Sequence, residues 1–383
     1  MTAVGENIGA PGTDALVLDL DVGALDDEQL ARWIELGGQA AEPNPFMEAG
    51  FLVPAAELLA DAPRRLIAVA EGERWLACVA LGHKRVRHLT AASEVGLEQY
   101  GYLSTPLLDA GDPPRAAQLV LEALKRAGGV FPLVLNSHAA DGPFAEQLDR
   151  ELEAGRVQTL ERQQFERALL TRDSCDWTSQ LSHHHVREFR RMGRRLANEF
   201  GGELQVADRA GDEAAVARFL ELELSGWKGR EGTALASDPA HAEFFRRICA
   251  RFARAGRLQL LDLGRDGRSV AMKCNLLAGD GAYAFKIAFD ETYSRWSPGI
   301  QLELRNMELF EAGGLAWMDS CAVPQNSMIN RLWRRRRALR TAMLVGGGFH
   351  GRAAVASLAL TRGLRSIKRA AARTQNRAAG RSG

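Results

Sequence analysis

Apolar residues along this chain recur with two different spacings, and the order of those spacings predicts the architecture. Ala15–Asp21 (ALVLDLD) alternates and reads as a first strand. Asp26–Gly37 has helical spacing at Leu30, Trp33 and Ile34, with Asp at its start and Gly just past its end. Phe51–Leu59 predicts a second short helix with Pro54 near its start. Arg65–Ala70 and Arg74–Leu81 are β-rich runs joined by Glu71-Gly72-Glu73, the pattern of a hairpin. Pro113–Ala127 predicts a helix closed by Gly128-Gly129, Val130–Leu135 a buried strand, Asp141–Glu153 a helix, and Gln164–Thr171 a closing strand.

The second half repeats this order. Asp212–Leu224 and Pro239–Ala255 predict helices, and Arg257–Leu263 and Arg268–Leu277 flank the turn Gly264-Arg265-Asp266-Gly267. Gly281–Phe289 predicts a third strand, Pro298–Ala312 a helix, and Leu315–Asp319 a strand. Arg65-Leu66 and Arg257-Leu258 open the two hairpins, and Ala127-Gly128-Gly129-Val130 matches Ala312-Gly313-Gly314-Leu315, at offsets of 192 and 185 residues. Matches in one order at nearly one offset imply an internal duplication. The fold class expected is α/β (α+β): two tandem units, each a mixed, largely antiparallel sheet flanked by helices. The units are expected at 15–172 and 173–335, after a mobile lead at 1–14 and before a basic tail at 336–383. Between the units, Ser179–Leu196 predicts a basic linking helix with Val186, Phe189 and Leu196 on its buried side. Its His183-His184-His185 run lacks the i, i+4 spacing that puts metal ligands on one helical face, so no metal is expected.

Length and composition agree: 383 residues suit two or three domains, and 46% hydrophobic with 25% charged residues is globular. No run of 18 apolar residues suggests a membrane span, and the start lacks the pattern of a signal peptide, so the expectation is a cytoplasmic protein. Cys78, Cys175, Cys249, Cys274 and Cys321 form no CxxC pair and read as reduced, mostly buried thiols. The net charge of +1 hides an asymmetry. Residues 331–383 carry 13 Arg and one Lys with no carboxylate, so that +14 sits there and −13 on the rest. Ile329–Met343 is expected to begin the tail as a helix, and Ala353–Ala372 to form a second, amphipathic one. Such a 345–383 tail suits an anionic membrane surface and a peripheral position at the inner face of the cell membrane, with no specific nucleic acid expected as partner.

No GxSxG, HExxH or P-loop pattern is present. Two stretches depart from plain packing. In Gly226–Thr233 (GWKGREGT), Trp227, Lys228, Arg230 and Glu231 make a compact polar loop with a stacking surface, a candidate substrate-binding loop. In Ala284–Gln301, Lys286 is expected on the strand face opposite Phe285 and Ile287. Further on, Asp290, Tyr293 and Arg295 precede a helix opened by Ser297 as N-cap and Pro298 at its first position, whose free amides could bind phosphate.

Gly226–Thr233, Tyr283–Leu302 and Trp317–Trp333, with Asn44-Pro45-Phe46, Glu48 and Ser104-Thr105-Pro106-Leu107, resemble the CelD-like acetyltransferase family of the GNAT superfamily over roughly 44–335. The resemblance implies a tandem GNAT fold, a plan shared with Fem-type aminoacyltransferases. It implies transfer of an acyl group from acetyl-CoA or another acyl-CoA to an amine or hydroxyl on a small molecule, a saccharide or a cell-envelope precursor. Pantetheine would pair along Gly281–Ala288, and the pyrophosphate would meet Ser297, Pro298, Gly299 and Ile300 beside Arg295. Ser294–Gly299 supplies only one Gly of the usual Q/R-x-x-G-x-G/A signature. The catalytic candidates are Asp290 or Asp319 as base, Tyr293 as acid and Lys286 as electrostatic contact. The first unit has no counterparts in His88–Gly101, where Tyr100 is the nearest analogue of Tyr293, and is expected to shape the acceptor groove without binding CoA. The rival readings are a Fem-type aminoacyl-tRNA-dependent transferase and a non-catalytic module in a polysaccharide export system.

Overall fold

The computed structural model describes residues 6–7, 15–86 and 89–347. In the first half the order is β1 (Glu6–Asn7), β2 (Ala15–Asp21), α1 (Asp27–Gly38), α2 (Ala49–Leu58), β3 (Arg65–Glu71), β4 (Arg74–Val86), β5 (Leu89–Val95), β6 (Leu107–Leu108), α3 (Pro113–Arg126), β7 (Leu133–Ala139), α4 (Pro143–Glu153) and β8 (Val157–Thr171). The second half runs α5 (Trp177–Gln180), α6 (His183–Glu199), β9 (Gln205–Asp208), α7 (Glu213–Ser225), α8 (Trp227–Arg230), α9 (Pro239–Arg254), β10 (Leu258–Arg265), β11 (Arg268–Ala278), β12 (Gly281–Phe289), α10 (Pro298–Ala312), β13 (Trp317–Asp319), α11 (Ser327–Leu332) and β14 (Arg335–Gly346).

Local chemistry explains most boundaries. Asp26 caps α1 in a reciprocal capping box with Gln29, and Asp112, Asp212 and Asp238 cap α3, α7 and α9. The β10–β11 turn holds Asp266 and Gly267 at φ of 51° and 76°, a left-handed pair that matches the twist of a tight hairpin.

The strands form one continuous sheet in the order β1-β2-β3-β4-β5-β7-β14-β8-β13-β12-β11-β10-β9, with β6 on β4. The order is nearly symmetric about β14 and β8. Each half contributes an antiparallel run ending in a parallel pair, β5 with β7 and β12 with β13. Each half then lends its last strand to the other: β8 pairs with β13, and β14 pairs with β7. The two exchanged strands pair with each other along their length, from Arg335 opposite Leu169 to Gly346 opposite Val157.

In the second half, α7 and α9 cover one face of the sheet and share a core with the first half, including Tyr283, Phe285 and Ala288. On the other face, α6 and α10 pack through Val186, Phe189, Leu196, Leu302 and Leu304. The two helices approach closely at Gly193, where a Cβ would lie 2.6 Å from Gln301 Oε1.

The beginning of the expected tail is corrected. The helix expected over Ile329–Met343 is the short α11 followed by β14. Of Arg334–Arg337, expected to be exposed, the first three are exposed, whereas Arg337 is drawn in to buried Asp319; Arg340 pairs with Asp149, and Leu339, Ala342 and Leu344 enter the core. The sheet therefore extends to residue 346, eleven residues into the expected tail. The helix expected over 353–372 lies outside the described residues, as does the lead at 1–14 except for Glu6–Asn7. A strand that the sequence pattern passed over, β5, occupies part of His88–Gly101. All five cysteines are free, four of them buried.

Candidate functional site

The parallel pair β12–β13 is short. Gly281, Ala282 and Tyr283 oppose Trp317, Met318 and Asp319, after which β12 continues alone to Phe289. The six residues beyond Tyr283 leave roughly 20 Å of strand edge without a neighbour on the β13 side. An unpaired edge offers backbone donors and acceptors to an extended ligand. At its closed end lies Asp319, fully buried. Arg167 meets it through Nε at 2.6 Å and Nη2 at 2.8 Å, Arg337 Nη1 donates at 2.9 Å, and the Cys321 amide donates at 3.0 Å. Burial works to raise the Asp319 pKa, but the guanidinium charges outweigh it and hold the carboxyl below the usual aspartate range. A carboxylate so engaged is a poor proton acceptor. Asp319 organises the site electrostatically and is not placed as a base. Arg337 also donates to the Tyr283 hydroxyl at 3.1 Å, and that hydroxyl donates to the Pro43 carbonyl at 2.6 Å.

At the open end, α10 begins. Ser297 is at the N-cap position, but in a left-handed conformation (φ 51°, ψ 59°) and without a side-chain cap bond, contrary to the cap expected from sequence. Pro298 has no N–H and Gly299 packs on Phe289 and Ile287, which leaves the amides of Gly299 and Ile300 free of helical partners. Arg295 is turned away to Glu199, 2.7 Å distant, and lies over Trp296.

A β-bulge opposite Cys274–Asn275 inserts one residue in β12. It brings Phe285 and Lys286 to the same face, where alternation alone predicts opposite ones. Lys286 Nζ sits 4.8 Å from the Tyr100 ring and 5.6 Å from the Phe285 ring. Burial, and secondarily the charge of Lys228, push its pKa down to about 8. Tyr100 comes from the first half and does not act there as an analogue of Tyr293. Its hydroxyl meets His241 Nδ1 of α9 at 2.5 Å, and burial keeps the phenol protonated.

The Gly226–Thr233 loop closes this side as α8 and the turn after it. Lys228 Nζ pairs with buried Glu223 at 2.7 Å and reaches the Ile287 carbonyl at 3.4 Å. Glu291 accepts from the Trp227 amide and from Arg230 Nη2, both at 2.6 Å. These bonds fasten the loop to the end of β12 and leave Trp227 48% exposed and Glu231 exposed. Asp290 and Tyr293 are not brought to Lys286. Asp290 Oδ1 accepts from the Thr292 amide and hydroxyl, capping the turn. Tyr293 packs on Phe200 in the cluster beside α6, its hydroxyl accepting from Arg268.

Sequence reading missed Tyr100 as a site residue, along with His241, Glu223, Arg167 and Arg337. They lie on five different elements or loops, and only Glu223, five residues before Lys228, carries a local signal. Glu42 was missed too. It accepts from the Phe144 amide one residue before Pro43, and its carboxyl is pushed up to about 7, chiefly by burial.

Residues 183–325 match the acetyltransferase (GNAT) domain family. No curated protein matches the chain. The crystal structure of FemX is 10% identical, covering 82% of this chain and 96% of its own, with a TM-score of 0.55. The C-terminal domain of a putative lysylphosphatidylglycerol synthetase from Agrobacterium fabrum is 14% identical, covering 86% and 94%, at 0.51. L-PGS from Bacillus licheniformis is 13% identical, covering 88% and 96%, also at 0.51. At these identities the likeness is one of fold. The open strand edge, the start of α10 and the α8 loop all lie within 183–325, the stretch that matches the acetyltransferase (GNAT) domain family.

Proposed function

We propose that the protein transfers an acyl group from a CoA thioester to an amine or hydroxyl of a saccharide or cell-envelope precursor. The observation that carries this reading is the divergence of β12 from β13 beside an α10 whose Gly299 and Ile300 amides are free. That pair of features fits an extended pantetheine arm on the strand edge and a pyrophosphate at the helix start. The resemblance of Asn44-Pro45-Phe46, Gly226–Thr233 and Trp317–Trp333 to CelD-like proteins supports the acceptor class.

A thioester held there supplies an acyl carbon whose bond to sulfur is replaced by a bond to the acceptor nitrogen or oxygen. The chain's own groups manage protons and position. Lys286, whose amine loses its proton more readily than an ordinary lysine, takes the proton released by the acceptor. Tyr100, kept protonated, holds His241 and forms the aromatic wall beside Lys286. Trp227 and Arg230 on the tethered loop receive the acceptor. Arg167 and Arg337 fix Asp319, and with it the closed end of the splayed pair.

The second reading is transfer from an aminoacyl-tRNA. It is favoured by the fold shared with FemX and by five exposed arginines on α6: Arg187, Arg190, Arg191, Arg194 and Arg195. Thermal unfolding with each donor tests the pair. A donor at 100 times its dissociation constant stabilises by about 2.7 kcal/mol if it binds only the folded state. A shift with acetyl-CoA alone supports the first reading and a shift with aminoacyl-tRNA alone the second. No shift with either points to a non-catalytic module.

No helix among the described residues is long and apolar enough to cross a membrane. A peripheral position rests on residues 348–383, which carry seven Arg and one Lys with no carboxylate.

A further inference from the structure

The side of α10 that meets the sheet carries a buried polar chain among its apolar contacts. The side chains of Lys273 on β11 and Glu303 on α10 are 3% and 2% exposed, and Lys273 Nζ donates to Glu303 Oε2 at 2.5 Å. The other Glu303 oxygen accepts from Asn306 Nδ2 at 3.0 Å, and Asn306 Oδ1 accepts from Asn275 Nδ2 of β11 at 3.1 Å. Asn275 also donates at 2.7 Å to Gln259, its cross-strand neighbour on β10. Lys273 Nζ lies 5.1 Å from the ring of Trp333, the fully buried residue that follows α11. None of these residues belongs to the set around Lys286 and Tyr100, which lies on the opposite face of the sheet.

Two opposite charges are costly to take out of water, and apolar residues of like volume often hold a core as well or better. Stability therefore does not explain the pair. What it supplies is direction. The other buried contacts of α10, through Leu302, Leu304, Met307 and Phe310, are apolar, and apolar burial tolerates a helix that slides or turns. The ion pair is satisfied at one position alone, because a one-residue step turns the helix by about 100° and carries Glu303 away from Lys273. The fixed point is also close to the start of the helix. Lys273 stands opposite Ile287 in register, Gly299 packs on Ile287, and Glu303 follows Gly299 by about 6 Å, just over one turn.

We propose that Lys273, Glu303 and Asn306 are positioning residues that fix the register of α10 on β11, and through it the place of the free Gly299 and Ile300 amides. The proposal rests on the transferase reading, in which those amides meet the donor. The grip on the donor is then set from the sheet side of α10, one turn behind the amides, by groups that never touch it.

The test compares the full-length wild type with K273M/E303L and K273M/E303Q by thermal unfolding, hydrogen exchange, and calorimetric titration with acetyl-CoA and with aminoacyl-tRNA. In K273M/E303L both charges leave together and Asn306 retains the Met318 sulfur at 3.4 Å, so the melting temperature stays at or above the wild-type value. Amides of residues 301–305 exchange about tenfold faster, and whichever donor binds the wild type binds this variant about tenfold more weakly. K273M/E303Q, which keeps an acceptor for Asn306, recovers part of both losses. Wild-type exchange or wild-type affinity in K273M/E303L overturns the proposal, and so does a loss of affinity that only follows a fall in melting temperature. The exchange measurement needs no donor, so the two readings fail separately. Binding of neither donor by the wild type ends the transferase reading, whereas unchanged exchange in K273M/E303L ends the register role.

Discussion

Two guanidinium groups converge on Asp319 in a part of the molecule without water contact, and that defines what the residue can do. Asp319→Asn leaves Arg167 and Arg337 as buried cations without a full counter-charge, so equilibrium denaturation should show a loss of about 3–5 kcal/mol. The Asp319 contribution is present above the ordinary aspartate value and disappears only as pH falls through the lower, folded value. Glu42 has the opposite sign. Its folded pKa of about 7 lies above the unfolded 4.5, so burial of its charge costs stability at high pH. Glu42→Gln should therefore stabilise the protein at pH 8, with the gain shrinking below pH 5 in the same denaturation assay. Lys286 is tested by rate. Acyl transfer should rise with pH through about 8 as the amine is freed, and Lys286→Met should remove that inflection and lower kcat about 10²–10⁴-fold while leaving the melting temperature in place. A pH profile unchanged in Lys286→Met would reassign the proton acceptor.

Among the elements, the α8 loop is held at two points that differ in kind. Lys228–Glu223 is largely buried and belongs to the core of the loop, whereas Glu291 is a half-buried tether to Trp227 and exposed Arg230. Glu291→Gln should raise the KM for the acceptor several-fold with unchanged thermal stability, because it loosens the loop without opening the core. Equal KM in the variant would place the acceptor elsewhere. Elements with strong local chemistry were legible in the sequence: β12 and α10 lie where their spacing and Pro298 put them, and the capping aspartates mark α3, α7 and α9. What was not legible depends on partners far along the chain. The bulge that turns Lys286 is a property of the β11–β12 register, invisible in β12 alone. Arg337 and Arg340 of β14 look as solvated as Arg335 and Arg336 until Asp319 and Asp149 are brought to them. Tyr100 and His241 are 141 residues apart and meet only through the fold.

At the scale of the whole molecule, the exchanged strands make the halves interdependent. A chain ending at residue 347 should unfold cooperatively like the full protein, while one ending at residue 334 should lose β14, expose β7 and β8 together, and show no cooperative transition by circular dichroism. The charge of residues 348–383 is tested on the same truncated chain: ending at 347 should release the protein from anionic vesicles, and retention would place the attraction on the body, with the α6 arginines its main candidates.

The position of β14 also governs the order in which the molecule can be made. A ribosome extrudes the first half long before the strand that completes it, so the edge of β7 must wait until residue 346 has emerged. The central sheet then closes last, in one event that finishes both halves at once. The same arrangement limits how such a gene can change. Once a duplicated pair has traded closing strands, neither copy can be lost or shuffled into another protein as a unit. The first half cannot be dispensed with, because it carries the strand β8 that the other half needs.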